Sequence, residues 1–435
     1  MRKTIGTRLV GFALIAALWL PGAASAESVR PDQTPAQTVS AASMQTETQT
    51  EASTAVQQVE APTVQSEAAV LIDAQSGNML YALQPDESLY PASITKIVTG
   101  IIALETTEPD EIVTVSKEAR YEDGTRIYLA EGEQVTMEKL LYGLLMNSGN
   151  DAATAIAEHI DGSKEKFAER MNQFVREKIG VTHTTFKNPS GLPDPEHVTT
   201  ASDMAKIARY AMQNETFRKI VSTKTMPWNG KEWQSELVNH NRMLWNYEGA
   251  TGMKNGYTEA AGNTLVISAT RGDMDLIAVV LKAPSADAAY SDTTKLLDYG
   301  FDNFHMQTLV SSGETFTVED GEDTVEWQAA NAIATAVPNG ERPAPAVTVS
   351  KDGEVLVDGK YGAQTLGQLH ELSRTNHAEA ENAAKGEVQA LAAGASGDTA
   401  AGSGGSSPLL WPTLAILAAL AGWFGYRVRK RRERM

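Results

Sequence analysis

Three short runs of this 435-residue sequence carry side chains that could perform chemistry together. The first is Pro91-Ala92-Ser93-Ile94-Thr95-Lys96. A serine three residues before a lysine shares one helix face with it. The positions that follow include Ile97, Val98, Ile101, Ile102 and Leu104, so the lysine lies on a helix destined for the interior. A buried ammonium is costly unless paired or neutral, and desolvation lowers its pKa toward neutrality. Lys96 is then a base able to take the Ser93 hydroxyl proton as the oxygen attacks a substrate. Taken alone the spacing is common, and a helix cap followed by an exposed lysine also explains it.

The second run is Met146-Asn147-Ser148-Gly149-Asn150-Asp151. Ser148 and Asn150, two apart, can point to one side of a turn. Ser148 would relay a proton and Asn150 would hold a substrate amide. For this tripeptide alone a plain turn is the simpler account. The third run is Gly252-Met253-Lys254-Asn255-Gly256-Tyr257. A cation at a strand end suits an anionic group, and Gly256 would let a substrate backbone approach. A hairpin turning at Asn255-Gly256 is the competing explanation.

These runs need elements to position them. Residues 69–73 and 79–83 read as paired strands around Gln75-Ser76-Gly77-Asn78. Apolar periodicity predicts helices over 94–104, 137–146, 152–160, 165–179 and 202–212. Residues 264–268 and 276–281 return to strands, and Leu296 and Leu297 fall on a closing helix. Strands at both ends with helices between them predict an α/β (α+β) domain, one antiparallel sheet covered by helices. Asp151 and Asp203 read as helix caps.

The remainder divides by composition. Residues 1–26 have a basic start, a short apolar run and Ala24-Ser25-Ala26, the layout of a cleavable secretory signal peptide. Residues 27–66, rich in Gln, Thr, Ala, Ser and Glu, read as a disordered leader. The main domain is expected over 67–304, a small β-rich domain over 305–375 and a flexible linker over 376–407. Residues 408–426 read as a transmembrane helix; the uncharged stretch reaches about 27 Å. The basic tail 427–435 places its end inside. The chain is therefore expected at the cell membrane, single-pass, with its main domain outside the cytoplasm.

With 37 basic and 55 acidic residues the net charge is −18, which argues against nucleic acid as a partner. There is no cysteine, so disulfides, thiolate zinc sites and cysteine nucleophiles are excluded. His183, His197 and His240 lack metal-ligand spacing, and no metal or other cofactor is expected.

Together the three runs, in the order Ser-x-x-Lys, Ser-x-Asn, Lys-x-Gly, resemble the signature of penicillin-binding proteins and serine β-lactamases. The surrounding sequence resembles one branch, the low-molecular-mass D-alanyl-D-alanine carboxypeptidases. The likeness runs through Leu89–Lys96, Leu145–Ala152, Lys187-Asn188-Pro189-Ser190-Gly191-Leu192-Pro193, 239–245 and 296–301. It implies that Ser93 attacks the carbonyl between two D-alanines of a peptidoglycan stem peptide and that Lys96 takes its proton. It further implies that Ser148 and Asn150 position substrate and pass protons, and that Lys254 attracts the terminal carboxylate. The backbone N–H groups of Ser93 and Tyr257 would form the oxyanion hole, with Asn255 and Gly256 lining the substrate strand. β-Lactam antibiotics would be trapped on Ser93. An endopeptidase, a β-lactamase on the same fold and a catalytically weak wall-binding protein are the alternatives.

Two positions depart from the family pattern. Asn255 stands where threonine is usual, and residues 289–292 lack the arginine that many relatives carry there. Weaker or altered recognition of the terminal carboxylate is the expectation.

Overall fold

A computed structural model describes residues 60–340, 345–376 and 385–390. Five strands make the central antiparallel sheet. They are β1 (Ala68–Asp73), β2 (Met79–Leu83), β3 (Ala250–Thr258), β4 (Gly262–Arg271) and β5 (Met274–Ala283), in the order β2-β1-β5-β4-β3. Alternate side chains of a strand point to opposite faces. Val70, Ile72, Val266, Ile277 and Val279 accordingly enter one core, and Leu71, Ile267, Leu276, Ala278 and Val280 enter another. Coverage on both faces explains why β1 is buried along its whole length.

The first core is shared with α1 (Lys96–Thr106), α2 (Met137–Met146), α3 (Asn150–Asp161) and α4 (Ala201–Ala211). The second is closed by α5 (Ala286–Asn303), which supplies Leu296 and Leu297. Three of these five starts, those of α2, α4 and α5, have a local cause: the hydroxyls of Thr136, Thr200 and Ser285 accept the backbone N–H groups of Lys139, Asp203 and Ala288. Thr200 therefore caps α4, and Asp203 instead accepts from His183 N and Thr184 Oγ1.

Beyond α5, the strands Phe304–Val310 and Ile333–Pro338 pair, and two three-stranded sheets follow up to Asn376. They enclose a small core that includes Val310, Val325, Trp327, Val355 and Leu369. This region meets the central sheet at the turn after β1. The Asp73 carboxylate accepts from the Ser76 hydroxyl and from Ala336 N, and the Ser76 and Thr335 hydroxyls lie 2.9 Å apart.

Residues 60–66, assigned by composition to the leader, lie on the folded domain. Asp292 Oδ2 accepts N–H groups from Gln65 and Ser66 and the Ser66 hydroxyl, each at 2.8 Å, and Ala61 and Val64 pack on the second core. A polar segment can dock where a buried carboxylate needs donors, and composition does not register that. The expected signal peptide, most of the leader and the linker, the C-terminal apolar segment and the basic tail lie outside the described residues. Among the described residues no helix is long and apolar enough to cross a membrane.

Candidate active site

The turn Ala92–Thr95 is a tight 3-10 turn that leads directly into α1. The helix expected from residue 94 thus begins two residues later as α-helix. Ala92 has φ +52°, a left-handed conformation costly for a residue with a Cβ. Its surroundings hold it there. Thr264 Oγ1 on β4 donates to Pro91 O at 2.8 Å, and Gly191 approaches so closely that a Cβ there would lie 1.9 Å from Ala92 O.

This turn brings Ser93 Oγ to 3.0 Å from Lys96 Nζ. Lys96 is fully buried, and its nitrogen also lies 2.7 Å from Asn150 Oδ1 and 2.6 Å from Ser190 O. Burial above all, then the nearby Lys254, pushes the Lys96 pKa well below its ordinary value. A neutral amine has two N–H donors and one lone pair. The two carbonyl oxygens take the donors, which leaves the lone pair for the Ser93 hydroxyl proton.

Asn150 opens α3, and its position is fixed on every side. Its N–H donates to Thr125 O at 2.7 Å and its Nδ2 to Asp123 O at 2.6 Å, while Oδ1 serves Lys96. Asp151, buried next to it, receives N–H groups from Ile127, Leu129 and Ala152, and burial raises its pKa. It binds the preceding loop as well as its own helix, a larger role than a cap. Ser148 has φ +63° and is largely buried. No hydrogen bond to its hydroxyl is present among the described residues, so the group is free to turn toward a substrate.

Asn255 and Gly256 lie within β3, opposite Leu265 and Thr264, so they do not form the hairpin turn; that bend follows Thr258. Lys254 is buried, and burial lowers its pKa to about 7. Its Nζ donates to Asn255 O at 2.8 Å and lies 3.4 Å from Asn255 Oδ1, with no carboxylate within ion-pair distance among the described residues. Gly256 has close neighbours within the domain. A Cβ there would meet Ser93 N at 2.7 Å and Thr264 Oγ1 at 2.6 Å, so the glycine lets β3 pack onto the nucleophile turn itself. Tyr257, the next residue, is exposed.

Ser190, with no role assigned from the motifs, supplies a ligand to the base. Its loop is organised by Asn188, whose Oδ1 accepts from Ser190 N, Ser190 Oγ, Gly191 N and Leu192 N, while its Nδ2 donates to Leu192 O. Asn followed by Pro-Ser-Gly is a turn signal, and it is the local trace this loop leaves in the sequence. His197 buttresses the other side. Its Nδ1 accepts Lys187 N–H at 3.2 Å, so Nε2 carries the proton and donates to Thr95 Oγ1 at 2.9 Å. Burial lowers the His197 pKa to about 4.

Among the described residues no hydrogen bond joins Arg242 or Arg271 to this cluster. Arg242 pairs with Asp287 and lies over the Tyr290 ring, and Arg271 pairs with Asp298 and lies over Tyr247 and Phe301. Among the described residues no group of His, Cys, Asp and Glu is arranged to hold a metal ion.

The family model for D-alanyl-D-alanine carboxypeptidases matches residues 55–285, more than half of the chain. The chain is 36% identical over 257 residues to a D-alanyl-D-alanine carboxypeptidase of Bacillus subtilis, covering 58% of this chain and 66% of the relative. It is 35% identical over 315 residues to D-alanyl-D-alanine carboxypeptidase DacC of Escherichia coli, covering 66% of this chain and 75% of the relative. Among solved structures, penicillin binding protein 5 from Haemophilus influenzae superposes with a TM-score of 0.60 at 29% identity, over 73% of this chain and 97% of the other. A mutant of the Streptomyces K15 DD-transpeptidase gives 0.53 at 32% identity, over 55% and 99%. The chain belongs to the peptidase S11 family, the D-alanyl-D-alanine carboxypeptidases.

Proposed function

We propose that this chain is a serine-type D-alanyl-D-alanine carboxypeptidase that trims peptidoglycan stem peptides and is acylated by β-lactams. The observation that carries the reading is the buried Lys96 amine, whose Nζ lies 3.0 Å from Ser93 Oγ, 2.7 Å from Asn150 Oδ1 and 2.6 Å from Ser190 O. Ser93 Oγ attacks the carbonyl carbon between the D-alanines while its proton passes to Lys96 Nζ. The C–N bond then breaks, the proton leaves with the D-alanine amine, and Ser148 is placed to relay it. Water, deprotonated by Lys96 Nζ, then attacks the acyl carbon; the ester bond to Ser93 breaks, and the proton passes from Lys96 back to Ser93 Oγ. Lys254 as ammonium attracts the terminal carboxylate.

D-alanine release from a D-Ala-D-Ala pentapeptide tests this reading. Lys96→Met, which keeps most of the unbranched side chain without the amine, is expected to lower kcat/KM by about 10³ or more. Unchanged turnover in that variant overturns the reading.

We further propose that residues 1–26 export the chain and that 408–426 anchor it, leaving the catalytic domain on the outer side of the cell membrane. The apolar stretch followed by a basic tail supports this. Protease added to intact spheroplasts should remove the catalytic domain; full protection would reject the proposed orientation.

A further inference from the structure

We infer that Arg126 and Tyr128 form a subsite beside the nucleophile that binds an anionic group on the substrate peptide, upstream of the bond that is cut. The inference rests on the carboxypeptidase reading and extends its recognition of substrate beyond the terminal D-alanines.

The argument begins with the loop that holds Asn150. Asp123 O and Thr125 O take the two hydrogen bonds from Asn150 described above, and Arg126 O takes one from Asn147 Nδ2 at 3.3 Å. The loop is therefore tied to the residues on either side of Ser148. Beyond it the chain alternates. Ile127 and Leu129 are buried, with their N–H groups on Asp151, so Arg126 and Tyr128 face away from the core.

Three features mark this outward pair. Tyr128 is 50% exposed and has φ +56°, a conformation that is a genuine outlier for a bulky side chain. Backbone strain of this kind persists where the surroundings over-determine it, and it concentrates at functional sites. Second, the ring has two partners. Arg126 Cζ lies 5.4 Å from its centroid, and the Trp233 ring packs edge-on at 5.7 Å. Third, Arg126 has no carboxylate within ion-pair distance among the described residues, although the chain carries 55 acidic side chains. The one hydrogen bond its guanidinium makes among the described residues is long, 3.3 Å from Nη1 to Arg120 O. Of the nine arginines among the described residues, Arg120, Arg170, Arg218, Arg242, Arg271 and Arg374 have acidic partners, and half-buried Arg209 is held by the carbonyls of Ala74 and Gln75; Arg126 and Arg176 have no acidic partner in contact.

Asp151 is near enough to feel the charge of Arg126, but its oxygens are taken up by the N–H groups of Ile127, Leu129 and Ala152; a guanidinium held on an aromatic face with no carboxylate in contact is pre-organised for an oxyanion, and it pays little entropy on binding one. The ligand this chemistry recognises is a carboxylate in the peptide. The loop that carries the pair is bonded to Asn150, which is bonded in turn to Lys96, so the pair adjoins the catalytic cluster.

The test uses the full chain and two pentapeptides ending in D-Ala-D-Ala, identical except that an internal acidic residue is free in one and amidated in the other. Wild type should favour the free acid, by roughly three- to tenfold in kcat/KM at low salt, with the preference fading at high salt. Arg126→Gln should raise KM for the acid peptide by that factor, leave kcat and the amidated peptide unchanged, and so abolish the preference. Arg126→Lys should retain part of it. An equal effect of Arg126→Gln on both peptides, or none on either, overturns the subsite while D-alanine release continues. Absence of release by wild type from both peptides overturns the carboxypeptidase reading and the subsite with it.

Discussion

Ser190 O lies 2.6 Å from Lys96 Nζ, and through that contact a loop remote in sequence sets the direction of the catalytic base. A lysine side chain has four rotatable bonds, and burial alone would not aim its lone pair. The aim comes from two acceptors, one on α3 and one on the loop organised by Asn188.

Removal of that organiser should therefore damage chemistry more than binding. In Asn188→Ala four donors around Ser190 lose their acceptor, each unsatisfied group costing about 1–3 kcal/mol where water cannot replace it. Acylation of Ser93 by a penicillin should slow by roughly 10²-fold. Asn188→Asp, which keeps the accepting oxygen, should recover part of the rate. Stopped-flow acylation of both variants checks this; equal rates in wild type and Asn188→Ala would refute the role.

Gly256→Ala tests the packing of β3 on the nucleophile turn. The added Cβ would lie 2.7 Å from Ser93 N, and that backbone N–H is the expected oxyanion donor. Loss of one such donor costs about 10²–10³ in rate. The variant should fold, with kcat reduced by that order and KM changed less. A fully active Gly256→Ala enzyme would mean that the turn is not held against the strand in solution.

The His197 site predicts a pH dependence of stability. Its pKa is about 4 in the folded protein against about 6.5 when unfolded, so the unfolded chain binds the extra proton first as pH falls. The neutral ring's stabilisation is present above about pH 6.5, declines through the interval and is lost below about pH 4. The full difference is about 3 kcal/mol. Protonation at Nδ1 also breaks the bond from Lys187 N–H. Urea unfolding between pH 4 and 7 should show the slope, and His197→Gln should reduce it by about one proton. His240, lowered to about 4 mainly by burial, sustains part of what remains.

Asn255 bears on carboxylate recognition. Its side-chain oxygen, 3.4 Å from Lys254 Nζ, competes with a substrate carboxylate for the ammonium. A threonine hydroxyl could donate to that carboxylate instead. Asn255→Thr is expected to raise kcat/KM on a D-Ala-D-Ala peptide by about three- to tenfold. Unaltered kinetics would remove Asn255 from the account of specificity.

What the sequence discloses follows the range of the interactions. The Ser-x-x-Lys spacing is local, so the approach of Ser93 to Lys96 could be anticipated, as could strands whose apolar residues alternate. The antiparallel sheet covered by helices was legible from the order of those patterns. The contacts that define the base are not local: Asn150 lies 54 residues from Lys96, and Ser190 lies 94. A backbone carbonyl has no residue type to read, so Ser190 gave no sign of its part. Asn255-Gly256 carries a genuine hairpin signal that is overridden here, because strand pairing continues through it to Thr258. The purpose of Gly256 depends on what packs against it, and tertiary structure alone decides that. Residues 60–66 look like leader because the polar composition that marks disorder also suits a strap docked onto a buried aspartate.

The central claim is a serine nucleophile activated by a neutral lysine, and covalent trapping tests it most directly. The full chain, incubated with a penicillin and digested, should yield one peptide increased by the mass of the intact drug, modified at Ser93. Ser93→Ala should show no adduct and no D-alanine release. A folded protein that gains no adduct, or carries it on another residue, would contradict the account.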